Sequence, residues 1–197
     1  MIKELVVKNR SYRGFNRQRR IQKDELLDMV DCARMTASHV NMQPFKYYIA
    51  WELEEVDRIQ RVTRWARGLP ELQLPHPGME PTGFIVILLD TDIHSSLQQF
   101  QKDCGIAAQT LLLRATEMGL GGCMIANFAA GSLKEILQLP DNLVPMFVVA
   151  VGEPSEQVVI REIDAGESVK YYRDKNDVHY VPKRKLEDVV VYKKDRV

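Results

Sequence analysis

Basic residues form two clusters at opposite ends of the chain, and a serine lies inside the first. The clusters are Arg10, Arg13, Arg17, Arg19 and Arg20 near the start, and Lys183, Arg184 and Lys185 near the end. A phosphate monoester carries a double negative charge, which suits forked guanidinium groups and a hydroxyl such as that of Ser11. Solvated surface residues have the same composition, so either cluster alone is a weak indication of an anion site.

A polar segment, residues 38–44, contains side chains suited to reading the edge of a heterocycle. Ser38, Asn41 and Gln43 stand there at near-alternating positions. Each of the two amides offers both a donor and an acceptor. A loop that uses such side chains to cap its own backbone would have the same composition. The residues alone leave both interpretations open.

Several other kinds of site find no support. The glycine run of residues 119–122 differs from the dinucleotide fingerprint, because it follows a predicted helix, precedes a predicted strand and is followed by Met124 at the sixth position. The histidines lack metal-ligand spacing, none lies beside a cysteine, and no GxSxG motif occurs. We therefore expect no metal and no protein nucleophile. Asp103 is expected to be a structural hydrogen-bonding partner, and the cysteines are expected to be buried structural thiols: Cys32, Cys104 and Cys123.

The composition sets the class of protein. At 197 residues, the chain is expected to form one domain over residues 1–197. Hydrophobic residues make up 45%, and 27 Lys and Arg balance 27 Asp and Glu. This balance gives no overall field that favours nucleic acid or an anionic membrane, so an anion site has to be built locally. No apolar run is long enough for a signal peptide or a spanning helix, and we expect a cytoplasmic protein.

Hydrophobic periodicity predicts the elements that position these residues. Leu26, Val30 and Ala33 recur at helical spacing, and residues 83–89 are almost wholly apolar, which is typical of a strand buried on both faces. The predicted helices cover residues 2–9, 22–35, 54–66, 97–118 and 132–139. The predicted strands cover residues 45–51, 83–89, 144–151 and 189–192, with another inside residues 119–128. Helices and strands mix without regular βαβ alternation, which favours an α+β fold.

Two elements indicate a second subunit. Residues 104–113 of the fourth predicted helix are apolar nearly all round, and such a helix has to be covered on every side. Gly105 would allow another helix to approach closely. The strand predicted over residues 189–192 has no hairpin partner nearby, so we expect it to pair with a distant edge of its own sheet or of a neighbour's.

Five weak motifs follow one another in a fixed order over nearly the whole chain. They occupy residues 9–15 (NRSYRGF), 37–45 (ASHVNMQPF), 103–109 with 118–121 (DCGIAAQ and MGLG), 151–154 (VGEP) and 183–189 (KRKLEDV). In this order they resemble motifs of the nitroreductase family of FMN-dependent oxidoreductases. The sequence departs from the family pattern at Asn9, Ala37 and Phe45, where a basic residue, proline and tryptophan are usual. Residues 64–81 match nothing firmly.

The resemblance implies a set of cofactor-binding residues drawn from four places in the chain. Arg10, Ser11 and Arg13 would hold the FMN phosphate and the ring edge. Arg184 and Lys183 would reach the phosphate from the other end of the chain. For the ribityl chain and the isoalloxazine they are Ser38, Asn41 and Gln43. Along the ring they are Met124, Ile125, Ala126 and Asn127, with the Ala126 backbone N–H near flavin N5.

The resemblance also implies an architecture and a reaction. The fold would be a three-layer α+β nitroreductase-like fold, with a central, mostly antiparallel sheet flanked by helices. The assembly would be a homodimer with FMN at the interface and the C-terminal strand exchanged between subunits. The activity would be ping-pong electron transfer from NADH or NADPH to a nitroaromatic, quinone or similar acceptor. Reductive dehalogenation, ene-type reduction and non-catalytic FMN storage are the alternatives.

Overall fold

The computed structural model describes residues 1–192. In chain order its elements are α1 (Ile2–Lys8), α2 (Lys23–Arg34), β1 (Phe45–Ala50), α3 (Leu53–Arg61), β2 (Gly83–Asp90), α4 (Gln101–Glu117), β3 (Gly121–Ile125), α5 (Ala130–Ile136), β4 (Leu143–Gly152), β5 (Val158–Ile163), β6 (Tyr172–Arg173), β7 (His179–Arg184) and α6 (Leu186–Val189). No helix formed by these residues has both the length and the apolar composition that crossing a bilayer requires.

The main sheet has four antiparallel strands in the order β1-β2-β4-β3. Every residue of β2 is buried, as its apolar run predicts, because helices cover both faces of the sheet. Residues such as Ile85 and Ile87 pack with α2 and α4 on one face. Val86 and Leu88 pack with α3 and α5 on the other. The predicted α+β architecture of three layers, with a mostly antiparallel central sheet, is therefore confirmed.

A second sheet was not predicted. Strand β7 pairs in parallel with β5 and antiparallel with the two-residue β6. Pro182 argues against a strand in this part of the sequence, since proline cannot donate to a ladder. The structure accommodates it because β6 pairs only with His179 and Tyr180, so Pro182 has no β6 partner.

Three predicted elements differ clearly from the structure: two helices have other boundaries, and one strand is not formed. The helix predicted over residues 54–66 ends at Arg61, because Val62 and Arg64 bond to the backbone of residues 127–129 instead of continuing the helix. The helix predicted over 97–118 begins at Gln101. The strand predicted over 189–192 is absent, since Leu186–Val189 is helical and the next three residues have no regular structure. Exchange of this segment between subunits remains a prediction.

The glycine run 119–122 joins α4 to β3. Gly119 has a φ of 78° and ends α4 in a Schellman motif, in which the Leu120 N–H donates to the Ala115 carbonyl at 2.8 Å. Gly122 lies where the backbone of β4 and the side chain of Leu112 both approach closely, so a Cβ there would meet the Ala150 carbonyl and lie 2.6 Å from Leu112 Cδ2. The run is a helix terminus followed by a tight strand start, which is the reverse of a dinucleotide-binding turn.

We expect Gly122→Ala to lower the free energy of unfolding by about 2 kcal/mol or more, because the added methyl group collides with backbone that cannot move aside. The matched control is Gly131→Ala in α5, where a Cβ meets nothing within 4 Å and the stability should be equal to or slightly above that of the wild type. Urea unfolding followed by circular dichroism measures both. Equal stability of the two variants would contradict this packing.

Candidate functional site

Residues 9–15, the arginine loop, are held in place by their backbone. The Tyr12 N–H donates to the Gly122 carbonyl at 3.0 Å, and the Phe15 N–H donates to the Met79 carbonyl at 2.9 Å. The Gly14 carbonyl accepts from the Ser155 N–H at 3.0 Å. Because Phe15 is also 1% exposed, the loop is anchored on the start of β3, the end of β4 and the segment before β2. Its side chains are thereby free to face a cleft.

The cleft beside this loop, the basic cleft, has a volume of about 310 Å³. Arg10, Ser11 and Arg13 line it from the loop, and Lys183 lines it from β7. Its apolar lining comes from α4, β3 and β7, through Leu112, Met124 and Val181 respectively. The structure thus brings residues from the two basic clusters of the sequence to one place.

The two cleft arginines are fixed by neutral groups. Arg10 Nη2 donates to the Val6 carbonyl at 2.6 Å, and Arg13 Nη1 donates to the Ser11 carbonyl at 3.2 Å and contacts His179 Nε2 at 3.1 Å. Within residues 1–192 neither forms an ion pair, whereas Arg17 pairs with two carboxylates at 3.0 Å. The positive charge of the cleft therefore remains available to an anion.

The same arginines hold donors that the described part of the chain does not satisfy. The Nε atoms of Arg10 and Arg13 are both buried and have no hydrogen-bond acceptor. Burial lowers the pKa of the Arg10 guanidinium, because a cation loses hydration there without gaining a counter-charge. The Nε atoms of Arg20, Arg58 and Arg173 are also buried without an acceptor, so the feature that favours an anionic ligand in the cleft is the unpaired charge of Arg10 and Arg13.

Strand alternation separates the two predicted basic residues of β7. His179, Val181 and Lys183 lie on one face of the strand and line the basic cleft. Arg184 falls on the opposite face and lines a different cavity, next to Asp164. Within the single chain Arg184 therefore does not line the cleft, whereas Lys183 does. That both residues reach the FMN phosphate remains a prediction.

Alternation also divides the segment predicted to lie along the flavin ring. Met124 lines the basic cleft, while Ile125 is 3% exposed and packs in the core on the other face of the sheet. Ala126 is exposed and lines a separate cavity beside Gly105 of α4. Asn127 is exposed, and its carbonyl accepts from the Arg64 N–H at 2.9 Å. Only the first of these four side chains reaches the basic cleft.

The polar loop, residues 38–43, is organised by Asp103. This carboxylate is buried at the start of α4 and accepts from the Ser38 hydroxyl at 3.0 Å and from the His39 N–H at 2.6 Å. The Ser38 oxygen in turn accepts from the Gln43 N–H at 3.1 Å. The predicted structural role of Asp103 is confirmed. Since the single hydroxyl proton of Ser38 is used, Ser38 could only accept from a ligand.

The backbone of the polar loop is strained. Val40, Asn41 and Gln43 have φ values of 45°, 55° and 52°, in the left-handed region that favours glycine. Such a conformation is especially unfavourable for a β-branched residue such as Val40. The hydrogen bonds to Asp103 offset this cost and hold the exposed Asn41 and Gln43 in a defined loop.

The polar loop does not reach the basic cleft within one chain. Ser38 and Gln43 line a cavity beside Tyr47, and that cavity shares no lining residue with the cleft. Helix α4 contributes Asp103, Gln109 and Gly105 to three of the four cavities that contain predicted site residues, and the cavity that Arg184 lines is the fourth. Apart from Arg184, the predicted side chains that line cavities are thus distributed around one helix.

Six lining residues of the cleft were not among the predicted site residues: Asn9, Gln109, Leu112, Tyr171, His179 and Val181. The alternation of His179, Val181 and Lys183 could have indicated a strand with one face toward a site. Tyr171 had no comparable indication, because it stands in an irregular segment and reaches the cleft only through tertiary packing.

Two of the three cysteines are buried as predicted, and Cys32 is half-buried. Burial raises the pKa of Cys104 to about 12 and that of Cys123 to about 11. Thiols with such pKa values stay protonated near neutral pH and are poor nucleophiles. Cys104 and Cys123 are therefore not candidate nucleophiles.

Comparisons with known proteins agree with this picture. A family model described as "Nitroreductase family" matches residues 6–71 and 77–153. A candidate NADH dehydrogenase/NAD(P)H nitroreductase of Methanothermobacter thermautotrophicus is 22% identical over 165 residues, which cover 81% of each chain. The FMN reductase (NADPH) of Bacillus subtilis is 40% identical over 55 residues, or 27% of this chain and 22% of that protein.

A solved structure has the same fold over nearly its full length. It is a candidate nitroreductase of Desulfovibrio desulfuricans in complex with FMN, with a TM-score of 0.71, 18% identity, and coverage of 99% of this chain and 98% of that one. At this identity the likeness concerns the fold alone. Since the family model itself matches well over half of the residues, this chain belongs to the nitroreductase family.

Proposed function

We propose that the protein binds FMN in the basic cleft and is an oxidoreductase that takes electrons from NADH or NADPH. The observation that carries this proposal is the pair Arg10 and Arg13, which line the cleft and are held there by neutral groups, so that their charges are not neutralised within the described residues. A phosphorylated ligand supplies the anionic oxygens that such donors require. The FMN named for the Bacillus subtilis and Desulfovibrio desulfuricans proteins supports this choice.

The remaining lining of the cleft also fits this cofactor. Ser11 and Lys183 add a hydroxyl and a flexible cation beside the arginines, and Leu112, Met124 and Val181 give an apolar surface for a flat aromatic ring. Bound FMN would supply the hydride chemistry, which no side chain of this site can perform. The role of the protein is to bind and orient the cofactor and to stabilise negative charge with its own cations.

We further propose that the site is completed in a homodimer. The face of α4 that carries Gly105, Ile106 and Gln109 is exposed in the single chain, with Ile106 43% exposed. A second copy packed on this face would bring its own polar loop toward the basic cleft. Ser38, Asn41 and Gln43 would then face the cofactor, together with Ile125, Ala126 and Asn127 through their backbone.

The C-terminal segment is the second part of this proposed interface. Leu186, Val189 and Tyr192 are 72%, 57% and 77% exposed, which is unusual for apolar side chains so close together in sequence. We propose that this segment crosses to the partner subunit, where these side chains would be covered.

The proposed reaction has two half-reactions. FMN held by Arg10, Arg13 and Lys183 would supply two-electron chemistry: it would take a hydride from NADH or NADPH, and after the nicotinamide has left it would pass two electrons, with protons from itself and solvent, to a nitroaromatic, a quinone or a related acceptor. Positive charge from Arg10, Arg13 and Lys183 would stabilise the reduced flavin, which is more negative than the oxidised flavin.

Arg10→Ala and Lys183→Ala should each weaken FMN binding by about tenfold to a hundredfold, because each removes a charge-assisted contact worth about 1.5–3 kcal/mol. Arg184→Ala is the matched control from the same strand and should change the affinity by less than about threefold. Fluorescence titration of the flavin-free protein measures all three. Stronger loss in Arg184→Ala than in Lys183→Ala would place the phosphate elsewhere.

Rapid mixing of the FMN-loaded protein with NADH or NADPH should bleach the flavin absorbance without oxygen, and adding a quinone or a nitroaromatic should restore it. This follows from a ping-pong exchange in which donor and acceptor use one site in turn. A bound flavin that neither nicotinamide reduces would rule out the proposed donors and favour a flavin-storage role. Reduction without reoxidation by these acceptors would favour dehalogenation or ene-type reduction.

Gly105→Ile should convert the dimer to a monomer with an unchanged helical spectrum, because a Cβ at Gly105 meets nothing within 4 Å in the single chain but would obstruct a helix packed closely against α4. Gly131→Ile, in α5, also has open space in the single chain and is the control that should stay dimeric. Sedimentation equilibrium measures the mass. A wild-type monomer, or a Gly105→Ile variant that still dimerises, would contradict the proposed interface.

A further inference from the structure

His179 is a buried residue of the basic cleft that has an unusual partner. It is 1% exposed, and its Nε2 atom lies 3.1 Å from Arg13 Nη1. A guanidinium has only donors, so Nε2 has to be the acceptor. With this assignment the imidazole is neutral and its proton is on Nδ1, which is buried and has no hydrogen-bond partner among the described residues. The Arg13 guanidinium also lies 5.0 Å from the centre of the Tyr171 ring, so two uncharged groups hold it from two sides.

A neutral imidazole, unlike a carboxylate, leaves the charge of its arginine partner uncancelled. Arg17 is held by Asp57 and Glu80, and its charge is cancelled by theirs. An imidazole fixes the direction of a guanidinium through a hydrogen bond but leaves its charge intact. Arg13 is thereby oriented without being neutralised.

The carboxylate nearest to the arginine loop is occupied by another arginine. Glu156 is buried, with 2% of its side chain exposed, and accepts from the backbone N–H of Arg13. Its charge is paired with Arg173 of β6, whose side chain is 3% exposed and also contacts Asp177 at 2.9 Å. Because Arg173 neutralises Glu156, this acidic group holds the loop backbone while the Arg13 guanidinium keeps its charge.

We propose that His179 is a positioning residue that directs the charged guanidinium of Arg13 at an anionic group of the ligand through an uncharged hydrogen bond. The identity of that ligand as FMN rests on the proposed function, whereas the contact itself does not. The second sheet, which supplies both His179 and Arg173, then serves to prepare the anion site.

The groups around His179 keep it neutral. Burial, and then the charges of Arg13 and Arg173, lower its pKa from 6.5 to about 4, and Asp177 opposes this only weakly. The Tyr171 ring packs against the His179 ring, with 5.3 Å between the two ring centres. The unfolded chain binds a proton below about pH 6.5 and the folded chain only below about pH 4. The contribution of His179 to stability is therefore present above pH 6.5 and is lost as the pH falls toward 4.

The first test needs no flavin. Nitrogen-15 NMR of the full-length protein, with His179 assigned by comparison with His179→Gln, should show the Nδ1–H tautomer and no titration between about pH 5 and about pH 8. An Nε2–H tautomer, or a titration near pH 6.5, would overturn the proposal whether or not the protein binds FMN. A correct tautomer in a protein that does not bind FMN would instead overturn the proposed function alone.

The second test compares two replacements. His179→Gln retains a neutral acceptor and should keep the FMN affinity within about threefold, whereas His179→Glu introduces a counter-charge and should weaken it at least about tenfold. If Arg13 faces the phosphate, the affinity for riboflavin should be unaffected by His179→Glu. If it faces the ring, the flavin reduction potential should fall. Equal losses in both variants, or no loss in either, would show a merely structural role and overturn the proposal.

Discussion

Arg10 and Arg13 are held in fixed positions without being neutralised, and the rest of the site depends on this combination. Removing a cation from water is unfavourable unless acceptors replace the lost hydration, and in the described chain these arginines find only carbonyl oxygens and one imidazole. A carboxylate would reduce this cost, but it would also cancel the attraction for an anion. The ligand-free protein is therefore less stable than it could be, in exchange for affinity at the cleft.

The fold meets this requirement because the backbone anchors the loop, which leaves the side chains to form the cleft. The arginine loop is fixed by main-chain hydrogen bonds to Gly122, Met79 and neighbouring residues, so its side chains need not anchor it. The second sheet then adds Lys183 and His179 from one strand face. On the other side of α4, Asp103 holds a strained polar loop in the same way, with hydrogen bonds that belong to the protein itself. Two prepared surfaces thus stand around one helix whose outer face is exposed.

Local patterns predicted the main sheet and most of its helices, because each has a periodicity that its own residues carry. The apolar run of β2 required cover on both faces, and the structure provides it. The second sheet could not be predicted in this way, since β5 and β7 pair in parallel across a long connection. In addition, Pro182 lies inside β7, and a proline argues against a strand. Because that strand was not predicted, the sequence could not show that Lys183 and Arg184 point to opposite faces, as the period of two requires once the strand is known. The end of α3 at Arg61 could not be predicted from local sequence either, because it is set by backbone hydrogen bonds with residues 127–129.

A crystal structure of the protein grown with FMN would test the central claim most directly. The account predicts an anionic oxygen of the cofactor within hydrogen-bond distance of the Arg10 or Arg13 guanidinium, with Lys183 nearby and His179 still bonded to Arg13 through Nε2. FMN bound away from these side chains, or a carboxylate of a second copy paired with both arginines in the cleft, would contradict it.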